Sequence, residues 1–247
     1  MNKKDQVVSD SDGLGEYQDD KSTPVLRRIR SFVRRHGRLT QGQQIAIQEG
    51  LPKFGLEGDK LFNWECIFGN TNPVCLEIGF GMGDSLVKQA AANPHINYLG
   101  IEVHTPGVGS CLLKVEEQQV SNLRIVSRDA VEVLDLNIPD ASLSAIQIFF
   151  PDPWPKKRHH KRRLFQPQFL EALRNKLKLD GYLHLATDWQ NYAEHMLDVL
   201  NGNPNFENLS ESGDYIPRPD SRPQTKFEQR GVKLGHGVWD LMVKRIT

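Results

Sequence analysis

Cysteine is scarce in this chain of 247 residues, which has three in all. Cys66, Cys75 and Cys111 are scattered, and no two of them have the C-x-x-C spacing of a metal site. An odd number of isolated cysteines also gives no disulfide framework of the kind that stabilises small secreted proteins. We therefore expect reduced thiols, no metal site and a cytoplasmic protein.

Long apolar stretches are lacking as well. None approaches the ~18 residues that a helix needs to cross a bilayer. The first residues are polar and acidic, whereas a secretory signal peptide begins with basic and then apolar residues. The sequence predicts a protein that has no membrane partner.

Net charge is also missing, since the formal total is +0. The charges are nevertheless segregated along the chain. Residues 1–24 form an acidic stretch with few large apolar groups, which predicts a disordered tail. Residues 25–50 form an Arg-rich basic arm, and residues 51–247 are long enough for one compact domain. Because local charge governs binding to a polyanion, the zero total does not exclude a nucleic-acid partner.

Apolar runs alternate with helical patterns along most of the chain. The runs at 74–78, 97–102, 123–127, 144–150 and 182–187 predict five strands, and two more are expected near 206–209 and 238–243. This alternation predicts an α/β fold, a doubly wound and mostly parallel Rossmann-like sheet with helices on both faces. Ligands of such sheets bind at the carboxyl ends of the strands.

Acidic residues stand at or just beyond the carboxyl ends of the first four predicted strands: Glu77, Glu102, Asp129 and Asp152. The loop after the first strand reads E-x-G-x-G-x-G and holds three glycines: Gly79, Gly81 and Gly83. Glycines allow tight turns and close approach of a ligand to the backbone. A dinucleotide would favour G-x-G-x-x-G and no nearby anions. The crowded carboxylates instead suit the cationic ammonium and sulfonium groups of S-adenosylmethionine, because unit charges ~4 Å apart attract by about 4 kcal/mol at an effective dielectric constant of ~20.

The most distinctive segment follows the fourth strand and reads P-D-P-W-P-K-K-R-H-H-K-R-R from Pro151 to Arg163. An aromatic side chain beside a carboxylate suits a flipped base, which Trp154 would stack on while Asp152 accepts from its amino edge. The density of Lys and Arg that follows is typical of a phosphate-binding surface. His159 and His160 are adjacent and lack a suitably spaced acidic or Cys partner, so no metal is predicted there either.

The chain resembles the bacterial tRNA (guanine-N7-)-methyltransferases, which have a class I methyltransferase fold. The matching blocks are L-E-I-G-F-G-M-G at 76–83, G-I-E-V-H at 100–104, F-F-P-D-P-W-P-K-K-R-H-H-K-R-R at 149–163, A-T-D-W at 186–189 and R-P-Q-T-K-F-E-Q-R-G at 222–231. The resemblance spans roughly residue 27 to the C-terminus. The long block at 149–163 is highly specific.

The resemblance implies transfer of a methyl group from S-adenosylmethionine to the N7 atom of a guanine in the variable loop of tRNA. It implies a cofactor pocket formed by the four strand-end acids and the three loop glycines, with Asp152 also acting at the catalytic rim. The substrate guanosine would be bound by Lys156, Asp188, Thr225, Lys226, Phe227 and Glu228. The RNA would be contacted by Arg158, His159, His160, Lys161, Arg162 and Arg163. Whether the protein is a monomer or a homodimer stays open.

Other functions remain open at this stage. Methylation of an exocyclic base amine is the nearest rival, because Asp-Pro-x-aromatic arrangements also suit methylation at N6 or N2. A non-catalytic RNA-binding protein with a relict methyltransferase fold is a second. RNA binding alone, however, gives no reason to keep four acids near a basic groove. A protein or small-molecule methyltransferase leaves the two basic clusters unexplained.

Overall fold

The computed structural model describes residues 38–224, 228 and 237–247. A seven-stranded sheet forms its centre, with the strand order β3-β2-β1-β4-β5-β7-β6. The strands are β1 Val74–Ile78, β2 Asn97–Ile101, β3 Leu123–Val126, β4 Leu143–Phe149, β5 Leu177–Thr187, β6 Phe206–Asn208 and β7 Trp239–Arg245. The first five are parallel to one another, and β7 runs antiparallel between β5 and β6.

Helices cover both faces of this sheet, which confirms the predicted doubly wound, mostly parallel fold. They are α1 Gln41–Phe54, α2 Trp64–Phe68, α3 Asp84–Ala92, α4 Thr105–Glu117, α5 Ala130–Leu136, α6 Pro167–Lys176 and α7 Gln190–Asn201. Apolar residues of α5, α6 and α7 share one buried cluster, and those of α3 and α4 share the other. Strand β1 contributes to both clusters, because successive side chains of a strand point to opposite faces: Leu76 and Ile78 lie in the first and Cys75 in the second.

Helix α1 crosses the boundary at residue 50, where the sequence predicts the basic arm to end. Thr40 and Gln43 form a reciprocal capping box that starts the helix. The Gln43 side-chain amide then donates to the Pro106 carbonyl in α4 at 3.1 Å. The part of the arm within the described residues is thus a helix packed on the domain. The acidic tail and the arginines at 27–35 lie outside the described residues.

The parallel order brings the carboxyl ends of β1 to β5 to one edge of the sheet. All four predicted strand-end acids and Asp188, which follows β5, lie along this edge. No helix within the described ranges is both long and apolar enough to span a membrane.

Candidate active site and RNA-binding surface

A cavity of about 350 Å³ opens at the carboxyl ends of the first four strands. Its walls include Gly79, Glu102, Asp129 and Asp152, which the sequence predicts as cofactor ligands, together with the turn Phe149–Pro151. Its volume lies within the ordinary range of small-molecule sites. The topology therefore brings together carboxylates that are up to 50 residues apart in the chain.

Glu102 fixes the glycine loop to the end of β2. Its Oε2 accepts from the Gly81 backbone N–H at 2.9 Å, and its Oε1 accepts from those of Val103 at 2.7 Å and His104 at 2.9 Å. Three backbone donors on one carboxylate fix its orientation. The loop is therefore shaped by the same acid that faces the cavity.

Glu77 is buried beneath this edge, with 2% of its surface exposed. Its Oε2 is fully buried and has no hydrogen-bond partner among the described residues. Burial, and then the nearby charge of Glu102, raise the pKa of Glu77 to about 8. A buried carboxyl oxygen without a donor is costly, so this position favours a cationic or hydrogen-bonding ligand.

The glycine loop needs its glycines for backbone shape and, at Gly83, also for space. Gly79, Gly81 and Gly83 all have positive φ, at 76°, 58° and 76°. A Cβ on Gly83 would lie 2.6 Å from the Cβ and Sγ of Cys111, so this glycine allows α3 and α4 to approach. Gly81 and Gly83 are near the cavity but do not line it.

Asp129 and Asp152 stand at two further corners of the cavity. Asp129 is the N-cap of α5, and its Oδ1 accepts from the Val131 backbone N–H at 2.9 Å. Asp152 is exposed and lies between two residues with left-handed backbone, Phe150 at φ 52° and Trp154 at φ 46°. Non-glycine residues held in this region cost free energy and cluster at functional sites. The turn that presents Asp152 is thus held in a strained shape by its surroundings.

Asp188 and Lys156 follow neighbouring strands. Phe149 of β4 pairs with Ala186 of β5, and the Phe150 N–H donates to the Ala186 carbonyl at 2.8 Å. Both Asp188 and Lys156 are exposed, on the two chain segments that leave this pair of strands. Of the other predicted substrate ligands, Thr225, Lys226 and Phe227 lie outside the described residues.

The basic run forms a 3-10 helix, Lys157–Arg162, directly after the cavity-lining turn. Arg158 and Lys161 are exposed on it. The Arg162 guanidinium lies over the Trp154 ring at 5.1 Å, and the His159 ring meets the same indole edge-on at 5.9 Å. Desolvation, and then the surrounding cations, lower the pKa of His159. The surface beside the cavity is therefore strongly cationic, and one face of Trp154 already carries a cation.

Arg163 differs from the prediction that it contacts RNA. Its side chain is buried, with 3% exposed, and its Nε donates to the Pro153 carbonyl at 3.0 Å. Its Nη2 donates to Asn191 Oδ1 at 2.8 Å, and the guanidinium lies over the Tyr192 ring at 4.8 Å. Burial lowers the pKa of Arg163. This arginine fastens the Pro153 loop to the start of α7, and its donors are not available to a phosphate.

A buried charged network lies behind the cavity-lining turn, and the sequence patterns did not point to it. Arg222 is fully buried and donates to both oxygens of Asp240, at 2.7 and 2.8 Å. It also donates to both oxygens of Glu228, at 2.7 and 3.0 Å. Asp240 Oδ1 lies 2.8 Å from His184 Nε2. Glu228, predicted to bind substrate, is thus 4% exposed and paired with Arg222.

One signal of this network was present in the sequence. His184 and Asp240 stand within the largely apolar runs 182–187 and 238–243, and polar residues at such positions are usually buried with partners. Among the described residues, no group of three or more His, Cys, Asp or Glu side chains is arranged to hold a metal ion. The site as a whole joins an acid-lined cavity to a cationic surface, which suits a cationic cofactor beside an anionic substrate.

Comparison with known proteins agrees with this combination. Residues 71–241 match the model of a family described as "Putative methyltransferase". The tRNA (guanine-N(7)-)-methyltransferase of Vibrio cholerae serotype O1 (strain M66-2) is 59% identical over 232 residues, which cover 93% of this chain and 96% of the relative. The relative of the same name in Pseudoalteromonas translucida (strain TAC 125) is 56% identical, covering 96% of this chain and 99% of its own.

Solved structures show a similar fold at much lower identity. The 16S rRNA methyltransferase KamB has a TM-score of 0.56 and 12% identity, covering 78% of this chain and 98% of its own. At that identity the likeness concerns the fold alone. The family match and the full-length relatives go further: the chain belongs to the family of the tRNA (guanine-N(7)-)-methyltransferases.

Proposed function

We propose that this protein transfers a methyl group from S-adenosylmethionine to the N7 atom of a guanine in the variable loop of tRNA, giving 7-methylguanosine. The observation that carries the proposal is the cavity itself, whose walls hold Glu102, Asp129 and Asp152 and which opens beside the basic 3-10 helix. Carboxylates suit a cationic cofactor, and Lys and Arg suit an RNA backbone. The names of the relatives from Vibrio and Pseudoalteromonas support the same reaction.

The residues present fit the cofactor. Glu77 does not line the cavity, but its orphaned Oε2 would offer an acceptor to the ammonium group of the cofactor. Glu102 directly follows β2, where Rossmann-like folds place an acid on ribose hydroxyls, and Asp129 also lines the cavity. When bound, S-adenosylmethionine supplies an electrophilic methyl group. The protein's part is to hold that group at the edge where Asp152 stands.

Methylation at N7 does not need a strong general base. Guanine N7 carries an in-plane lone pair and has no proton to lose before it attacks a methyl group. Rate enhancement therefore depends on positioning and on stabilising the positive charge that develops on the ring. Asp152 is placed to hold the guanine edge and face that charge. Asp188 and Lys156 lie on the segments that leave β5 and β4, and with Thr225, Lys226 and Phe227 they are proposed to complete the guanosine site. Glu228 is not included, because both of its oxygens accept from Arg222.

The cationic surface is proposed to hold the tRNA backbone. Its members on the 3-10 helix are Arg158, His159, His160, Lys161 and Arg162. Arg163 is not one of them, because its guanidinium donates to the Pro153 carbonyl and to the Asn191 side chain. The phosphate-binding cations thus begin within a few residues of Asp152, so that RNA held by them reaches the cavity.

The proposal is tested by incubating the purified protein with S-adenosylmethionine and unmodified tRNA and identifying the methylated nucleoside by mass spectrometry. The wild-type protein is expected to give 7-methylguanosine. Asp152→Ala should lose about 100-fold or more in turnover while S-adenosylhomocysteine still binds. Asp140→Ala is the matched control, since Asp140 is an exposed acid before β4, at the opposite edge of the sheet.

Two results would overturn parts of this assignment. A product methylated on an exocyclic amine would keep the methyltransferase and replace the N7 target. Full activity of Asp152→Ala would remove Asp152 from the reaction. If no tRNA is methylated although the cofactor binds, the acceptor is a different one.

A further inference from the structure

The cavity-lining turn Phe149–Pro151, which precedes Asp152, packs against a buried charged network. The network consists of Arg222, Asp240, Glu228 and His184. The Arg222 guanidinium lies 5.8 Å from the centre of the Phe149 ring and 5.5 Å from that of Phe150. The Phe149 ring meets the His184 ring edge-on at 4.9 Å. Both aromatic side chains of the turn are thus in contact range of the network, two and three residues before Asp152.

The turn needs such support because its backbone is strained. Phe150 has a φ of 52°, which a residue with a Cβ rarely adopts. Such a conformation persists only where the surroundings impose it. The Phe150 N–H is held by the Ala186 carbonyl, and its ring is held by the guanidinium. An arginine suits this place, since Arg222 binds two carboxylates while its Cζ lies over both rings.

Three separate parts of the chain contribute the other members of this network besides Arg222. Asp240 lies on β7, His184 lies on β5, and Glu228 comes from the segment that follows Arg222 in the chain. Two bidentate ion pairs meet on one guanidinium with good hydrogen-bond geometry. Such pairs leave Arg222 little freedom to move.

We infer that Arg222 is a positioning residue for methyl transfer: with Asp240 and Glu228 it holds the strained Phe150 turn and, through it, Asp152. This inference rests on the proposed function, because it assigns Arg222 a part in the placement of the proposed catalytic acid. Arg222 reaches the cavity only through the Phe149 and Phe150 rings, since it is fully buried.

The test compares Arg222→Lys with the wild-type protein. Lysine keeps the charge but cannot form two bidentate pairs or lie flat against the rings. We expect the single-turnover rate of tRNA methylation, at saturating cofactor and tRNA, to fall by about 30-fold or more. Affinities for S-adenosylhomocysteine and tRNA should stay within about threefold, because the proposed cofactor carboxylates line the cavity and the proposed phosphate-binding cations lie on the 3-10 helix.

A matched control distinguishes a positioning role of Arg222 from a general loss of stability. Val115→Ala removes buried volume in α4, in the apolar cluster that α3 and α4 share, and lowers stability without removing a contact of the turn. If Arg222→Lys is no slower than Val115→Ala at temperatures where both are folded, the inference is wrong. It is equally wrong if the loss lies in cofactor or tRNA affinity and the rate at saturation is unchanged.

A second variant covers the case in which Arg222→Lys does not fold. Asp240→Asn keeps the shape of the side chain but opposes an amide N–H₂ to the guanidinium, and it should show the same selective loss of rate on a smaller scale. An unchanged rate would contradict the inference. Failure of the proposed function is seen separately, in the nucleoside that the wild-type protein produces, since the rate ratio can be measured whatever base is methylated.

Discussion

Gly107, in the first turn of α4, faces the carbonyl oxygen of Gly81 so closely that a Cβ would lie 2.2 Å from it. The obstacle is backbone, so no side-chain rotation relieves the clash. The same loop carries the Gly81 N–H that donates to Glu102. The start of α4, the glycine loop and the end of β2 therefore fit together only while position 107 has no side chain.

Gly107→Ala should displace the glycine loop. We expect the affinity for S-adenosylmethionine to fall by about tenfold or more and the melting temperature to drop by several degrees, about 2–4 °C for each kcal/mol lost. Isothermal titration and thermal unfolding measure the two effects. Gly42→Ala is the matched control, because nothing lies within 4 Å of a Cβ there. It should bind normally and gain up to about 1 kcal/mol of helix stability. Wild-type affinity in Gly107→Ala would show that the loop tolerates the shift.

The buried Glu77 carboxyl predicts a pH dependence of stability. Its pKa in the folded protein is about 8 and its ordinary value is 4.5. Between these values the folded protein binds more protons than the unfolded chain, so the free energy of unfolding must fall as the pH rises through this range. Glu77→Gln should flatten that decline in chemical denaturation of the protein without cofactor. Identical pH profiles for the two proteins would contradict the prediction.

Glu77 also predicts proton release on cofactor binding. A cationic ligand beside the carboxyl favours its ionised form, so below pH ~8 binding should expel a proton, and the affinity should rise with pH up to that value. Titration in two buffers of different ionisation enthalpy counts the protons. The difference between the wild-type protein and Glu77→Gln separates this group from the titrating amino group of the cofactor itself. Equal proton counts in both proteins would mean that the protonation of Glu77 does not change when the cofactor binds.

Much of the sheet could be predicted from the sequence, and the reason is physical. The run 74–78 matches β1 residue for residue, because a strand covered on both faces is mostly apolar, and Glu77 is the one charged residue within it. The start of β5 was placed five residues late, since residues 178–180 are exposed and Asp180 has a φ of 61°. The short helices α2 and α5 were not predicted, because five and seven residues give too little periodicity.

Individual contacts were harder to predict than elements. Arg163 stands in a run of cations, and composition alone cannot separate a buried arginine from an exposed one. Its partners Asn191 and Tyr192 come 28 and 29 residues later and meet it only in the folded chain. Glu228 is a similar case, because the resemblance suggests its importance but not its pairing with Arg222. The strand-end acids were predictable because parallel strands place their ends together regardless of detail.

The exposed cations of the 3-10 helix predict a salt-dependent contribution to tRNA binding. Arg158→Gln and Lys161→Gln should each weaken binding and reduce the slope of log K against log salt by about 0.7–1, without change in melting temperature. Filter binding at several salt concentrations gives the slope. Lys88→Gln is the matched control, because Lys88 is an exposed cation on α3. If it reduces the slope as much as the other two, the effect is one of total charge and not of this surface.

Arg163→Gln should behave in the opposite way from its neighbours. Its loss breaks the bond to the exposed Asn191 side chain and leaves the half-buried Pro153 carbonyl without its donor. An unsatisfied buried acceptor costs about 1–3 kcal/mol. We expect a lower melting temperature and slower methylation, since the loop that carries Trp154 loses its attachment to α7. The salt dependence of tRNA binding should keep its wild-type slope, because this guanidinium neutralises no phosphate. A slope reduced by about 1 with an unchanged melting temperature would return Arg163 to the RNA-contacting set.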